Sequence, residues 1–467
     1  MKYIYLLLFV TLCGCKKYLT VQPEGSYTGP QVFSNEKAIQ QALNGLYNLV
    51  GSDSLYGGNL SMTTVELLAQ QYNNGSYSAD NVYNSFEAYS YTNTSVQAVF
   101  ENVWQTAYAG ILAANVFISQ IDGAAAAGVV TGAHAQQMKG EAIAIRGLLH
   151  FDMLRLFGPV FSTGANNPAI PYYTRPDGQT QPILTATQAL DSVLADLAQA
   201  ETLLTGDPVI TGGVVFTPDF YAGYRNQRLN YYAVKGLQAR AYLYGGQTSA
   251  AHDSALAVLT EGGRWFPWLN YTAIVSNTTS PDRIFSPEVL FGPYNQEMYI
   301  NFNNYFNANL TAVDILAMQP TRLNNVFEGN QNDYRYTTTW LNGPNSYRTF
   351  FKYADVQNTA APWRYMQPVL RKSELYYIIA ETDPNPTVAF AALDSVRYNR
   401  GLPNLAATAV LTTEIKKEYQ KEFIGEGQLF FYYKRTNTST IGLGSSTYLS
   451  VAPVYQVPLP LSETTPR

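Results

Sequence analysis

Two stretches of the chain concentrate rings and amides where ionisable groups are scarce. Tyr72–Tyr91 holds six aromatic residues in twenty positions, with Asn73, Asn74, Asn81 and Asn84 between them. Tyr294–Asn307 holds five in fourteen, mixed with Asn295, Asn301, Asn303, Asn304 and Asn307. A flat ring covers the apolar face of a sugar or a peptide plane. An Asn side chain offers both a donor and an acceptor to a hydroxyl or amide, and tyrosine supplies contact area at low entropic cost. The chemistry is non-covalent capture of a neutral polar ligand. The candidate contacts are Tyr72, Asn73, Tyr77, Tyr83, Tyr294, Asn295, Tyr299, Phe302 and Trp340; Trp268 and Trp363 are further loop tryptophans. Rings under long loops also build local core, so some of these belong to packing. Three or four rings at ~0.5–1.5 kcal/mol each support dissociation constants in the high-micromolar to millimolar range after association costs.

Catalytic signals are weak. The three histidines, His134, His150 and His252, have no metal-ligand spacing. No phosphate-cradling glycine loop and no nucleophile elbow is present. Glu418, Glu422 and Glu426 recur every fourth residue on one helix face, a pattern that reads as a solvated or arginine-paired face. No catalytic residue, metal or cofactor is expected. A glycosidase would need two carboxylates facing each other across the aromatic loops, for which those loops offer Asp80, Glu87 and Glu297. A helical-repeat scaffold that binds only proteins is the other alternative.

Composition narrows the partners. The 467 residues are 46% hydrophobic and 13% charged, with 37 tyrosines and a net charge of −5. No Lys or Arg occurs from Ala38 to Met138, so a basic track for nucleic acid is missing. At the N-terminus Lys2 precedes an apolar run, Tyr3–Leu12, too short to span a bilayer. It leads into Leu12-Cys13-Gly14-Cys15, which resembles the lipobox of bacterial lipoproteins. Residues 1–14 then form a signal peptide and Cys15 carries lipid. Both cysteines of the chain fall here, so no disulfide is expected. No other run approaches 18 apolar residues.

Helices must position the loops. Ala38, Ile39, Ala42, Leu43, Leu46, Tyr47 and Val50 form an apolar stripe that Ser34 or Asn35 can cap and Gly51 can end. Further helices are predicted over Val99–Ile121, His134–Phe157, Thr185–Leu204 with a Thr185/Gln188 capping box, Leu229–Tyr244, Ser249–Thr260, Arg371–Glu381, Thr387–Arg400 and Thr412–Phe431. Tyr232–Leu259 looks like one tetratricopeptide-type helix pair. Long stretches without helical period lie between, mainly Gly57–Ser95, Val160–Pro182, Gly206–Gln227 and Gly262–Ala361, with a short strand expected near Glu288–Phe291.

These residues, taken in order, resemble the SusD/RagB family of outer-membrane nutrient-binding lipoproteins. The resemblance rests on Cys15-Lys16-Lys17-Tyr18-Leu19, Leu43-Asn44-Gly45-Leu46-Tyr47, Trp104-x3-Tyr108-x2-Ile111-x3-Asn115 and Glu141-Ala142-x3-Arg146-Gly147. Near the end it rests on Arg371–Glu381, Leu393-x2-Val396-Arg397-x2-Arg400-Gly401 and Glu422-Phe423-x2-Glu426-Gly427-Gln428. Tyr419, Leu429 and Tyr432 stand where the family usually carries Arg, Arg and Asp. The resemblance implies a mostly α, SusD-like fold: tetratricopeptide-type helix pairs, a large loop-rich variable region and a few short strands. It implies one domain over 15–467, with the scaffold mainly at 33–51, 97–157, 185–260 and 371–435 and the ligand region mainly at 57–95 and 262–361. It implies Glu426 as a structural partner for Arg397 or Arg435. It also implies a surface lipoprotein, lipid-anchored in the outer membrane, that captures an oligosaccharide or peptide. The cargo would pass to a SusC-like, TonB-dependent barrel.

Overall fold

Asn35 starts the first long helix by accepting a hydrogen bond from the Ala38 N–H at 2.9 Å. The computed structural model describes residues 29–73, 81–344 and 347–464. The signal segment, Cys15, Tyr77 and Asp80 lie outside the described residues. Helix α1 (Glu36–Val50) buries Ile39, Leu43, Leu46 and Val50. It is followed by α2 (Thr94–Ala126), α3 (Gly132–Phe157), α4 (Ala186–Leu203), α5 (Tyr231–Tyr244), α6 (Thr248–Ala257), α7 (Met298–Tyr305), α8 (Lys372–Thr382), α9 (Pro386–Tyr398), α10 (Leu411–Glu422) and α11 (Gln428–Arg435). The capping box at Thr185 and Gln188 is formed, and α3 stops at Gly158-Pro159.

Neighbouring helices pack in sequence order, α2 on α3, α3 on α4, α4 on α5 and α5 on α6, and the row continues through α8 and α9. Helix α3 is buried almost all round from Met138 onward, as expected for the centre of such a row. By length and composition α2 could cross a membrane; here it packs against α1 and α3. The fold is the expected mostly helical one with few, short strands.

The strands are β1 (Pro168–Pro171), β2 (Ile183–Thr185), β3 (Val289–Phe291), β4 (Trp340–Asn342), β5 (Arg348–Phe350), β6 (Leu370–Arg371), β7 (Ile441–Gly442) and β8 (Ser450–Val451). They form two-stranded antiparallel ribbons, β1 with β2, β3 with β6, β4 with β5 and β7 with β8. The β3–β6 ribbon joins the loop region to the start of α8.

Buried ion pairs tie the layers together. Arg146 binds Asp196 across α3 and α4 at 2.6 Å, and Arg240 binds Glu374 across α5 and α8 at 2.6 Å. The glutamate row of the last helices is the densest knot. Glu418 accepts from Arg335 at 2.8 Å and from Arg397 at 3.0 Å. Glu422 meets Arg335, Arg371 and Arg400. Glu426 pairs with Lys352 and, at 2.9 Å, with Arg371, not with Arg397 or Arg435; the latter binds Glu381 at 2.7 Å. Arg335, Lys352 and Glu288 come from the loop region, so the knot clamps that region to the scaffold.

The one helix expected over Thr412–Phe431 is two. The chain turns through Gly425 and Gly427, whose φ values of 78° and 72° are left-handed. A Cβ at 427 would lie 2.0 Å from the Leu60 carbonyl oxygen. Tyr419 and Tyr432, on either side of the turn, stack at 4.4 Å, so a ring pair fills two positions that carry charge in the resembled family.

The Gly427 N–H donates to Glu66 Oε1 at 2.7 Å, while Glu66 Oε2 has no partner. Burial pushes the Glu66 carboxyl up to about 8, against the pull of the Gly427 and Gly425 N–H groups. An unfolded chain ionises this group near pH ~4.3. Between those values the native state keeps a proton that the unfolded state loses, so stability falls as pH rises through that window. Glu66→Gln is therefore expected to raise the unfolding free energy at pH 7 by roughly 1–3 kcal/mol, with the gain vanishing toward pH 4. Urea titrations of both proteins at the two pH values measure it; a variant less stable at pH 7 contradicts it.

Candidate ligand groove

Of the residues singled out for capture, the structure buries some and exposes others. Tyr72 is buried, and its hydroxyl donates to the Met62 carbonyl at 2.7 Å while its ring meets Phe306. Asn295 is buried; its amide donates to the Gly57 carbonyl at 3.1 Å and its Oδ1 accepts from the Glu297 N–H. Trp340 is fully buried in β4 against Phe350. Phe302 is buried against Phe351. These four hold loops together and offer no face to a ligand. Two physical reasons apply: long connections carry backbone groups that need partners, which the Tyr72 hydroxyl and Asn295 amide supply, while Trp340 and Phe302 bury apolar ring surface under the loops. Residues 57–72 are likewise mostly interior. Asn73 is half-buried, and its N–H donates to the Ala317 carbonyl. Tyr83 is also half-buried.

Tyr294 and Tyr299 are different. Tyr294 is 41% exposed. Its ring lies 5.0 Å from that of Tyr365, which in turn lies 4.5 Å from Tyr299. The Arg364 guanidinium sits 5.1 Å over Tyr299 and 4.8 Å over Tyr365. Asp355 holds it through two bonds of 2.8 and 2.7 Å. Hydrogen bonding from Arg364 keeps the Asp355 carboxyl below its usual range, and burial raises the hydroxyls of Tyr294 and Tyr299. The rings stay neutral, and the one full charge pair beside them is internally compensated.

Tyr294 also borders a groove of about 490 Å³. Its other walls are α1, through Gln40, Asn44 and Asn48, and the loop 217–228, through Phe220, Tyr224, Gln227 and Arg228. Arg228 is fastened in place: it donates to Asn44 Oδ1 at 2.7 Å and lies 4.2 Å over the Phe220 ring. Asp219 Oδ1 accepts from the Tyr221 and Ala222 N–H groups and so shapes the loop. Gln227 donates to the Pro362 carbonyl at 3.3 Å. The Asn48 side chain is exposed and makes no hydrogen bond to the described protein. Gly51, the cap of α1, lets Tyr294 come close, since a Cβ there would stand 2.4 Å from the Tyr294 carbonyl oxygen. The helix end thus sets the position of the ring beside it.

Phe220, Tyr224, Asn44 and Asn48 are residues that the sequence reading passed over. One signal was present: Phe216, Phe220, Tyr221 and Tyr224 place four aromatics in nine positions, in a segment too short to stand out beside the two longer ones. Asp219 is the carboxylate among the residues lining the groove. Glu87 is buried with both carboxylate oxygens unpartnered, and burial raises its carboxyl well above the usual range; Glu297 stands at the surface. Among the described residues no group of His, Cys, Asp and Glu is arranged to hold a metal ion. His150 is buried against the Tyr172 ring at 3.7 Å, accepts from the Tyr173 N–H and is pushed down to about 3 by burial, a role in packing.

A row of paired helices bearing loops, with a ring-and-amide groove between α1 and the loop 217–228, defines the class of fold. The comparisons make this specific. A family model described as starch-binding, associating with the outer membrane, matches residues 17–219, and the SusD family model matches residues 291–449. The chain belongs to the SusD/RagB family. Solved structures agree in fold. A SusD superfamily protein from Bacteroides thetaiotaomicron is 20% identical over 92% of this chain and 97% of its own, with a TM-score of 0.70. A SusD-like carbohydrate-binding protein from Bacteroides vulgatus is 18% identical over 88% and 85%, with a TM-score of 0.65. Surface glycan-binding protein A from Bacteroides uniformis is 18% identical over 86% and 88%, with a TM-score of 0.62. No curated protein matches the chain.

Proposed function

We propose that the protein captures a neutral oligosaccharide in the Tyr294 groove and passes it to a SusC-like, TonB-dependent outer-membrane barrel. The observation that carries the reading is the groove itself: Tyr294, Tyr224 and Phe220 beside the amides of Asn44, Asn48 and Gln227. Rings cover the apolar faces of sugars, and amides pair with hydroxyls. The carbohydrate- and glycan-binding relatives support a saccharide over a peptide. The role is binding without chemistry, because hydrolysis of a glycosidic bond calls for two carboxylates flanking it, and Asp219 spends Oδ1 on its own loop.

Residues 1–14 serve as the export signal, and lipid on Cys15 anchors a single domain, 15–467, to the outer membrane, facing the exterior. The helical face docks on the barrel rim while the loops hold cargo over its mouth. The family description, which places such proteins with the outer membrane, supports this arrangement.

Calorimetry of the mature protein against neutral hexasaccharides and short peptides tests the reading. Saccharide binding with a dissociation constant of roughly 0.1–5 mM is expected. A folded protein that binds no saccharide, or that releases reducing sugar from one, refutes it.

A further inference from the structure

The helical scaffold carries a second aromatic cleft that shares no lining residue with the Tyr294 groove. It encloses about 680 Å³ between α9, the segment 404–407 and Trp268. Its rings are Trp268, Phe390 and Tyr398, and Tyr398 is 73% exposed. A tyrosine this bare on a folded surface does nothing for the core.

The cleft is built and held. Asp394 Oδ1 accepts from the Leu405 N–H at 2.8 Å, which fastens the far wall to α9. Arg397 donates to the Pro403 carbonyl at 3.2 Å and to Glu418, so the same wall is tied to the buried charge knot. Trp268 is half-buried. Its ring is set by Tyr376 at 5.1 Å, by the Lys372 ammonium at 4.7 Å and by the Arg400 guanidinium at 5.6 Å. A ring fixed before binding costs little to order on binding.

Polar capacity is left over. Asn399 donates to the Ser395 carbonyl, while its own side-chain oxygen bonds to nothing in the described protein. The Asn404 amide, the Thr387 hydroxyl and the Trp268 indole N–H likewise have no hydrogen-bond partner there. The one carboxylate, Asp394, is engaged by the wall it holds. A concave surface with one fixed ring, two further rings and unspent amide, hydroxyl and indole groups, without free charge, suits a neutral ligand whose flat apolar faces are edged with hydroxyls. We infer that this cleft is a second, independent site for a neutral saccharide. Two weak sites on one rigid chain raise the retention of a polymer without any new contact.

The test is affinity electrophoresis of the mature chain through gels holding starch, laminarin or xylan. Tyr398→Ala and Asn404→Ala alter exposed side chains and leave the core intact. Each is expected to weaken retardation by the best of the three polymers about three- to tenfold. Phe220→Ala/Tyr294→Ala should keep a residual retardation that disappears when Tyr398→Ala is added. If Tyr398→Ala alone acts, the second site stands and the groove reading falls. If both single variants migrate as the parent does, or no polymer retards the parent, the second site is refuted. Unchanged retardation with loss of a co-purifying membrane barrel gives the cleft to a protein partner, and refutes it equally.

Discussion

Glu422→Gln is expected to lower the unfolding free energy by about 3–5 kcal/mol. The side chain is fully buried between Arg371, Arg400 and Arg335. Removing its charge leaves three guanidiniums in the interior with less to neutralise them, and an uncompensated buried charge is the costly state. Burial by itself would raise this carboxyl, but the three guanidiniums overcome it and hold Glu422 well below the usual carboxylate range. Glu418 is lowered in the same way, chiefly by Arg335 against its burial. A carboxyl depressed in the native state adds stability that is fully present above the unfolded value, near pH ~4.3, and is lost as pH falls toward the native one. The parent should therefore lose stability steeply below about pH 4.5, and Glu422→Gln should flatten that limb while lowering the plateau. Urea unfolding followed by circular dichroism from pH 3 to 8 reads both effects. A midpoint at pH 7 equal to the parent's would show that the knot is neutral to stability.

Phe220→Ala combined with Tyr294→Ala should weaken saccharide binding in the groove by about ten- to a hundredfold, on ~0.5–1.5 kcal/mol per ring and the loss of the hydrophobic cover over the amides. Tyr294 is partly exposed and Phe220 lies on a surface loop, so the change should appear in the dissociation constant and hardly in the melting temperature. Arg228 stacks on Phe220 but also holds Asn44 and Glu141, which keeps the wall in place when the ring is gone. Calorimetry with the tightest hexasaccharide measures the effect. An unchanged constant with both rings removed would move the site elsewhere.

The helices were legible because their signals are local. The apolar stripe of α1, its Asn35 cap, the Thr185/Gln188 box and the Gly158-Pro159 stop each lie within a few residues of what they determine. The split between α10 and α11 was written as Gly425-Glu426-Gly427, yet the apolar period runs through it; only the approach of Leu60, far away in sequence, makes the turn necessary. The site was legible in part. Ring-rich, uncharged composition pointed to Tyr294, which is exposed, and to Tyr299, which is half-buried, and equally to Tyr72, Asn295 and Trp340, which are buried. Composition cannot separate a ring that covers a loop's backbone from one that waits for a ligand. The groove draws on residues near 44, 220 and 294, and no local pattern announces that meeting.

The charge knot that joins loops to scaffold lies out of reach of dissolved ions, which screen exposed pairs strongly and interior pairs far less. A molecule stitched this way should keep its shape in brine as in rainwater. Saccharide binding in the proposed groove, resting on rings and amides, should depend little on salt as well.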